Sequence, residues 1–216
     1  MKDQLERIRQ KIRAKGWHLK PPMPESAVAA FESAHGIALP AAYRAFIIEI
    51  GNGCEGPPEH GLVPLGAVPP ENPAPKAEYW VQLPDITKPF PFTKPWIWEE
   101  EELSAEGREA DVTCGSLCLG TDGDGLFWHL IVTGPERGNI WQFTGVGIQP
   151  LAPQRDFLQW MEDALEDKDP FREYPKPTKQ PPPAAAPKPS SGFSAWLVRE
   201  KKRFLKNYWH IRRRGW

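Results

Sequence analysis

Apolar positions along the first fifty residues recur at intervals of three and four, the spacing that lines one side of a helix. Leu5, Ile8 and Ile12 carry this pattern through Met1 to Gly16, and Gly16 suits the end of the helix it predicts. A Pro-rich turn, Pro21-Pro22-Met23-Pro24, follows. Glu25 to His35 reads as a second helix, with Val28, Phe31 and Ala34 on one side and Gly36 as its stop. A third is predicted from Pro40 to Ile50, striped by Tyr43, Phe46, Ile47 and Ile50. Proline is tolerated in a first helical turn because its missing N–H had no partner there. Gly51-Asn52-Gly53 then supplies residues that accept positive φ.

The pattern changes beyond this point. GLVPLG, Gly61 to Gly66, is a short strand candidate, and Pro64 places it at an edge or bulge. Gly115 to Gly147 is the clearest β region: SLCLG, LFWHLIVTG and NIWQFTG are β-rich runs divided by TDGDG and GPERGN, separators typical of hairpins. Arg155 to Asp167 predicts a closing amphipathic helix with Phe157, Leu158, Trp160, Met161 and Leu165 facing inward. Residues 67–111 fit neither period. They predict a long Pro-rich and acidic excursion with little regular structure, anchored by Phe90, Phe92, Trp96 and Trp98; loops of that length in compact domains are usually functional or insertions. Residues 173–191 are a linker whose PKPTKQPPPAAAPKPSS sequence favours stiff, extended polyproline II. Residues 192–216 are a final helix candidate.

Composition sharpens this division. The chain has 216 residues and a formal net charge of −1, but the average conceals a split. Pro175 to Trp216 holds eleven Lys/Arg and one acid, Glu200, a charge of +10; Met1 to Tyr174 carries −11. Such asymmetry predicts an acidic folded body and a basic tail that meets something anionic. No apolar run approaches the roughly 20 residues of a membrane span. The charged N-terminus lacks the apolar core of a secretory signal, and three cysteines do not make a disulfide framework, so the expected compartment is the cytosol.

Four segments in order carry a family resemblance: LPAAYRAFIIEIGNG (Leu39 to Gly53), GLVPLG, SLCLGTDGDG (Ser116 to Gly125) and LIVTGPERGNIW (Leu130 to Trp141). Together they resemble the SUKH superfamily, which includes fungal cell-wall assembly regulators and many bacterial immunity proteins. PFPFTKPWIWEE (Pro89 to Glu100) and GPERGNIW are similar to its actinobacterial-type members. The resemblance runs from about Pro24 to Asp167. It implies an α+β fold, a mostly antiparallel sheet with helices packed around it, and a binding scaffold without catalysis. In bacteria, such a scaffold most often neutralises a partner toxin. The Pro-rich stretch after Gly66 and the basic tail depart from the pattern.

Catalytic and metal chemistry find little footing. TDGDG has the look of a calcium loop, but Thr133 stands where the bidentate Glu would be needed, so a tight turn is the better reading. Cys114 and Cys118, four apart, fall on one face of a predicted strand, with only Cys54 and His129 to complete a zinc site; small buried residues are expected instead. No GxSxG, P-loop or GxGxxG occurs, and no His pairs with a carboxylate at recognisable spacing. The expectation is therefore no enzyme, no metal and no cofactor.

Two charged regions are the binding candidates. Glu99, Glu100, Glu101, Glu102, Glu106, Glu109 and Asp111 oppose only Arg108, and Trp96 and Trp98 immediately precede them. Aromatic anchors beside acids suit a basic protein such as a nucleic-acid-cutting toxin; the plain alternatives are a solvated loop or a surface that holds the chain's own tail. Arg137, at the tip of GPERG, joins this set as a hairpin-tip charge. In the tail, Phe193, Leu197, Phe204, Leu205, Tyr208, Trp209, Ile211 and Trp216 fall on one side of a helical wheel. Arg199, Lys202, Lys206, His210 and Arg213 fall on the other, with Arg203 at the edge and Lys201 and Arg212 interrupting the apolar face. Trp196 and Trp216 flank this basic amphipathic helix, which suits an anionic membrane surface or a protein groove, and nucleic acid less well. The sequence thus predicts a binding body over residues 1–172, acting as an immunity or regulatory protein. The alternative is a peripheral membrane or cell-envelope adaptor anchored by its tail.

Overall fold

A computed structural model describes residues 1–67, 85–97, 112–123, 125–144, 147–168 and 170. Three helices come first: α1 (Lys2–Lys15), α2 (Glu25–His35) and α3 (Ala41–Glu49). Five strands follow, β1 (Trp96–Ile97), β2 (Ser116–Gly123), β3 (Leu126–Ile131), β4 (Ile140–Thr144) and β5 (Gly147–Pro150), and then α4 (Phe157–Leu165). The sheet is antiparallel throughout, in the order β1-β5-β4-β3-β2. The fold is α+β, as the resemblance implied.

Gly16 and Gly36 end α1 and α2 in the left-handed conformation, at φ 71° and 62°. Each satisfies carbonyls of the last turn through its own N–H, which is why the chain can leave the helix there. Pro40 lies one residue outside α3 rather than in its first turn. Its ψ of 132° is extended, and its carbonyl accepts the first helical hydrogen bond, from Arg44 N at 2.9 Å. α4 begins at Phe157 rather than at Arg155 because Asp156 caps its start. The Asp156 carboxylate accepts from Gln159 N at 2.8 Å, and Asp156 N in turn donates to Gln159 Oε1 at 3.0 Å.

The sheet is buried on both faces, since strand residues alternate sides. Leu117, Leu119, Trp128, Leu130 and Ile140 face the helices, where Leu5, Ile8 and Ile12 of α1, Phe46 and Ile47 of α3 and Phe157, Leu158 and Met161 of α4 complete the main core. Phe127, Ile131, Trp141, Phe143 and Ile148 face the other way, and Phe90 and Val112 cover them. Along the α1–α4 seam, Arg7 meets Glu162 at 3.0 Å, Lys11 meets Glu166, and Lys15 meets Asp167 at 3.1 Å. Such exposed pairs add little individually, so the buried Leu5–Ile8–Ile12 stripe is what docks α1.

Two local expectations are corrected, for GLVPLG and for the cysteines, and the excursion gains one detail. GLVPLG is not a continuous strand. It runs beside β2, with Val63 N donating to Leu119 O at 2.8 Å and Leu62 bridging Cys54. Pro64 has no N–H to extend the ladder, and β2 is irregular at Gly120. Within the excursion, Trp96 and Ile97 form an edge strand on β5, with Trp96 opposite Ile148. Cys114 lies in the turn before β2, so Cys114 and Cys118 do not share a strand face.

Candidate functional site

Residues 85–97 form a second layer over the outer face of the sheet. Phe90 is fully buried, edge-on to Trp141 at 4.9 Å between centroids and stacked on Phe143 at 6.1 Å. Phe92 continues outward and stacks on Trp96 at 5.2 Å with 16° between ring planes. The backbone is held as closely as the rings: Phe90 N donates to Thr133 O at 3.1 Å, and Gly115 N to Asp85 O at 3.1 Å. Two glycines permit this approach. A Cβ on Gly115, at φ 67°, would stand 2.5 Å from Phe90 N, and one on Gly134, at φ 97°, would stand 2.6 Å from Phe90 O.

Of the residues read from the sequence as a partner surface, this layer holds Trp96. Trp96 is half-buried and fixed by β1 pairing and the Phe92 stack. Trp98, Glu99, Glu100, Glu101, Glu102, Glu106, Glu109 and Asp111 lie outside the described residues. Their flanks are set, however: Ile97 ends one edge strand, and the buried Val112 precedes the opposite edge strand, β2. The tail candidates Trp196, Arg199, Lys202, Arg203, Lys206, Trp209, Arg213 and Trp216 also lie outside the described residues.

Arg137 sits far from that layer in its contacts. Its Nη2 donates to Ala38 O at 3.0 Å and Leu39 O at 3.1 Å, tying the β3–β4 hairpin to the chain just before α3. The side chain read as a hairpin-tip charge is thus engaged by its own backbone. Two residues of the GPERGNIW segment make such ties, since Glu136 accepts from Asn139 and Gln154 at 2.9 Å each.

A Ser–His pair not seen in the sequence is buried on the outer sheet face. Ser116 Oγ is 3.0 Å from His129 Nδ1, and the hydroxyl also donates to Thr113 O at 2.7 Å. One hydroxyl proton cannot serve both, so His129 Nδ1 is the protonated nitrogen and donates to Ser116, as assigned from this network. Phe143 stacks on the imidazole at 3.9 Å between centroids, and burial pushes the His129 pKa down to about 3. His129 Nε2 and Trp141 Nε1, on directly opposed residues of β3 and β4, have no hydrogen-bond partner among the described residues. A general base must accept a proton from its nucleophile; here the imidazole donates to it, and both groups are sealed from substrate. The arrangement is a packing element.

The cysteines are equally withdrawn from chemistry. Burial raises Cys54 to about 11 and Cys118 to about 12, which keeps both protonated and weakly nucleophilic at neutral pH. Among the described residues no three His, Cys, Asp or Glu side chains converge on a metal position. Asp122, one of the acids of TDGDG, is instead a clamp: it accepts from Glu59 N at 2.8 Å and from Trp128 Nε1 at 2.6 Å. The sequence offered no signal for that role beyond a carboxylate at a hairpin end.

With this geometry in view, comparison with known proteins gives one positive result. The model of the SMI1 / KNR4 family (SUKH-1) matches residues 22–163, about two thirds of the chain. The match takes in α2, α3, the whole sheet and most of α4, and stops short of α1 and the Pro-rich and basic C-terminal region. No curated protein and no solved structure matches the chain.

Proposed function

We propose, from the premise that the chain belongs to the SMI1 / KNR4 family (SUKH-1), that it is a non-catalytic protein-binding domain. It acts as an immunity or regulatory protein that neutralises a basic partner, in the first instance a toxin domain, by covering its surface. The contact surface runs from Trp96 and Trp98 through Glu99, Glu100, Glu101, Glu102, Glu106, Glu109 and Asp111. The observation that carries this reading is the Phe90–Phe92–Trp96 ladder, which holds the first aromatic of that stretch on the sheet edge. Rigid aromatics beside a strongly charged run combine affinity with electrostatic steering. The membership and the burial of Ser116 and His129 both favour binding over hydrolysis.

The test is binding of the full chain to the product of the neighbouring gene, measured at low and high salt. Glu99, Glu100, Glu101 and Glu102→Gln should weaken binding at least tenfold at low salt and flatten its salt dependence. Unchanged affinity and an unchanged salt slope would refute the assigned surface.

A second reading rests on the +10 charge of residues 175–216 and the amphipathic pattern of residues 192–216. It makes the protein a cytoplasmic adaptor held peripherally on an anionic membrane. Among the described residues no helix is long and apolar enough to cross a bilayer, so attachment would be through this basic segment. Co-sedimentation with anionic but not neutral vesicles, abolished by Lys202, Arg203 and Lys206→Glu, supports it; equal sedimentation with both removes it.

A further inference from the structure

Where α4 ends, the surface opens into a recess of about 140 Å³ lined by Pro57, Pro58, Trp128, Trp160 and Ala164. The two indoles are 6.0 Å apart between centroids and tilted by 49°. A space of this size holds one ring: an engineered apolar cavity of about 150 Å³ takes up benzene. The charged groups beside it are already paired with one another. Arg155 meets Asp163 at 2.6 Å, and Lys168 meets Asp163 at 3.3 Å. The recess therefore offers apolar and aromatic contact, with carboxylates at its margin.

The chain's own sequence supplies a matching occupant. Lys168 and Pro170 line the recess, so the described chain ends on its rim. Residues 175–191, which follow five positions later, contain seven prolines, three lysines and no acid. Aromatic-lined slots bind polyproline II segments because the proline rings stack on indoles and little chain entropy is lost. The acids at the end of α4, Glu162, Asp163, Glu166 and Asp167, are already paired with Arg7, Lys11, Lys15, Arg155 and Lys168, so the segment's prolines rather than its lysines are what the recess would recognise. A tether that starts on the rim keeps the segment at millimolar effective concentration, so a contact too weak to form between separate molecules is populated.

We propose that this recess is the docking slot for the chain's own Pro-rich segment, residues 175–191. One proline ring enters the recess against the accessible edges of Trp128 and Trp160 and the rings of Pro57 and Pro58. The contact is separate from the Trp96–Asp111 surface and fixes the point on the body from which the basic segment 192–216 departs. It stands or falls independently of the partner reading.

The experiment uses the full-length, isotopically labelled chain and its proton–nitrogen spectrum. Pro175, Pro177, Pro181, Pro182, Pro183, Pro187 and Pro189→Ser should move the Trp128 and Trp160 indole N–H resonances and leave the Trp17 indole unmoved. Ala164→Arg, which fills the recess from α4, should release the backbone of residues 175–191 into fast local motion. Trp128 and Trp160 resonances that coincide in the wild type and the serine variant would overturn the proposal, whatever the folding of the Ala164 variant. Shifts that disappear on dilution would assign the slot to a second copy and overturn it equally.

Discussion

His129 donates through Nδ1 to Ser116 Oγ at 3.0 Å while its ring lies flat on Phe143, so the imidazole is held neutral inside the outer sheet layer. The folded-state pKa of about 3 lies below the ordinary value of 6.5. Between those values the unfolded chain binds a proton that the folded chain excludes, so this residue's contribution to stability is whole above about pH 6.5 and declines as pH falls toward 3. The limiting slope is about 1.4 kcal/mol per pH unit. Urea midpoints measured at several pH values should fall more steeply for wild type than for His129→Phe. Parallel profiles would show that the imidazole is reached by protons in the native state.

Arg137 is expected to act on stability before it acts on any partner. Arg137→Ala removes two charge-assisted bonds to the carbonyls of Ala38 and Leu39. Discounted for solvent exposure, the loss should be about 1 kcal/mol, read by chemical denaturation. Faster amide exchange at the start of α3 should accompany it. Unchanged stability with weakened partner binding would place Arg137 at the interface instead.

Gly115→Ala tests the close approach under Phe90. The substitution places a Cβ 2.5 Å from Phe90 N at a φ of 67°. Backbone strain and overpacking together should cost about 3 kcal/mol. Near-ultraviolet circular dichroism should change with it, since Phe90 packs against Trp141 and Phe143. A thermal midpoint equal to that of wild type would show that the outer layer is loosely held.

A chain ending at Tyr174 should fold. The buried clusters on both sheet faces are built from residues up to Leu165, and a domain of about 170 residues buries roughly 70% of its unfolded surface. Cooperative thermal unfolding is expected, with a midpoint within a few degrees of the full chain. An insoluble or molten product would place residues 175–216 in the core.

The sequence by itself determined the elements whose contacts are local. α1, α3 and α4 were readable because their buried residues recur every three or four positions. α2 buries only Val28, with Phe31 half-buried and Ala34 exposed, and was marked mainly by its end, since Gly16 and Gly36 mark helix ends that only a left-handed residue closes cheaply. The two hairpins of β2, β3 and β4 were readable for the same reason: their Gly-containing separators set the turn and the strand alternation together. The SUKH assignment rested on four such local segments in order, and the family match agrees with it. Tertiary structure alone decided the rest. Trp96 and Ile97 are a strand only because β5 offers them an edge, since two residues have no periodicity of their own. Arg137 and Asp122 take their roles from partners distant in sequence, at Ala38 and Leu39 and at Glu59. A charged side chain states what it can bind; which groups the fold brings within 3 Å of it depends on how layers pack. Trp128 and Trp160, each assigned to a strand or helix core by its own pattern, line one recess only because α4 crosses the sheet where it does.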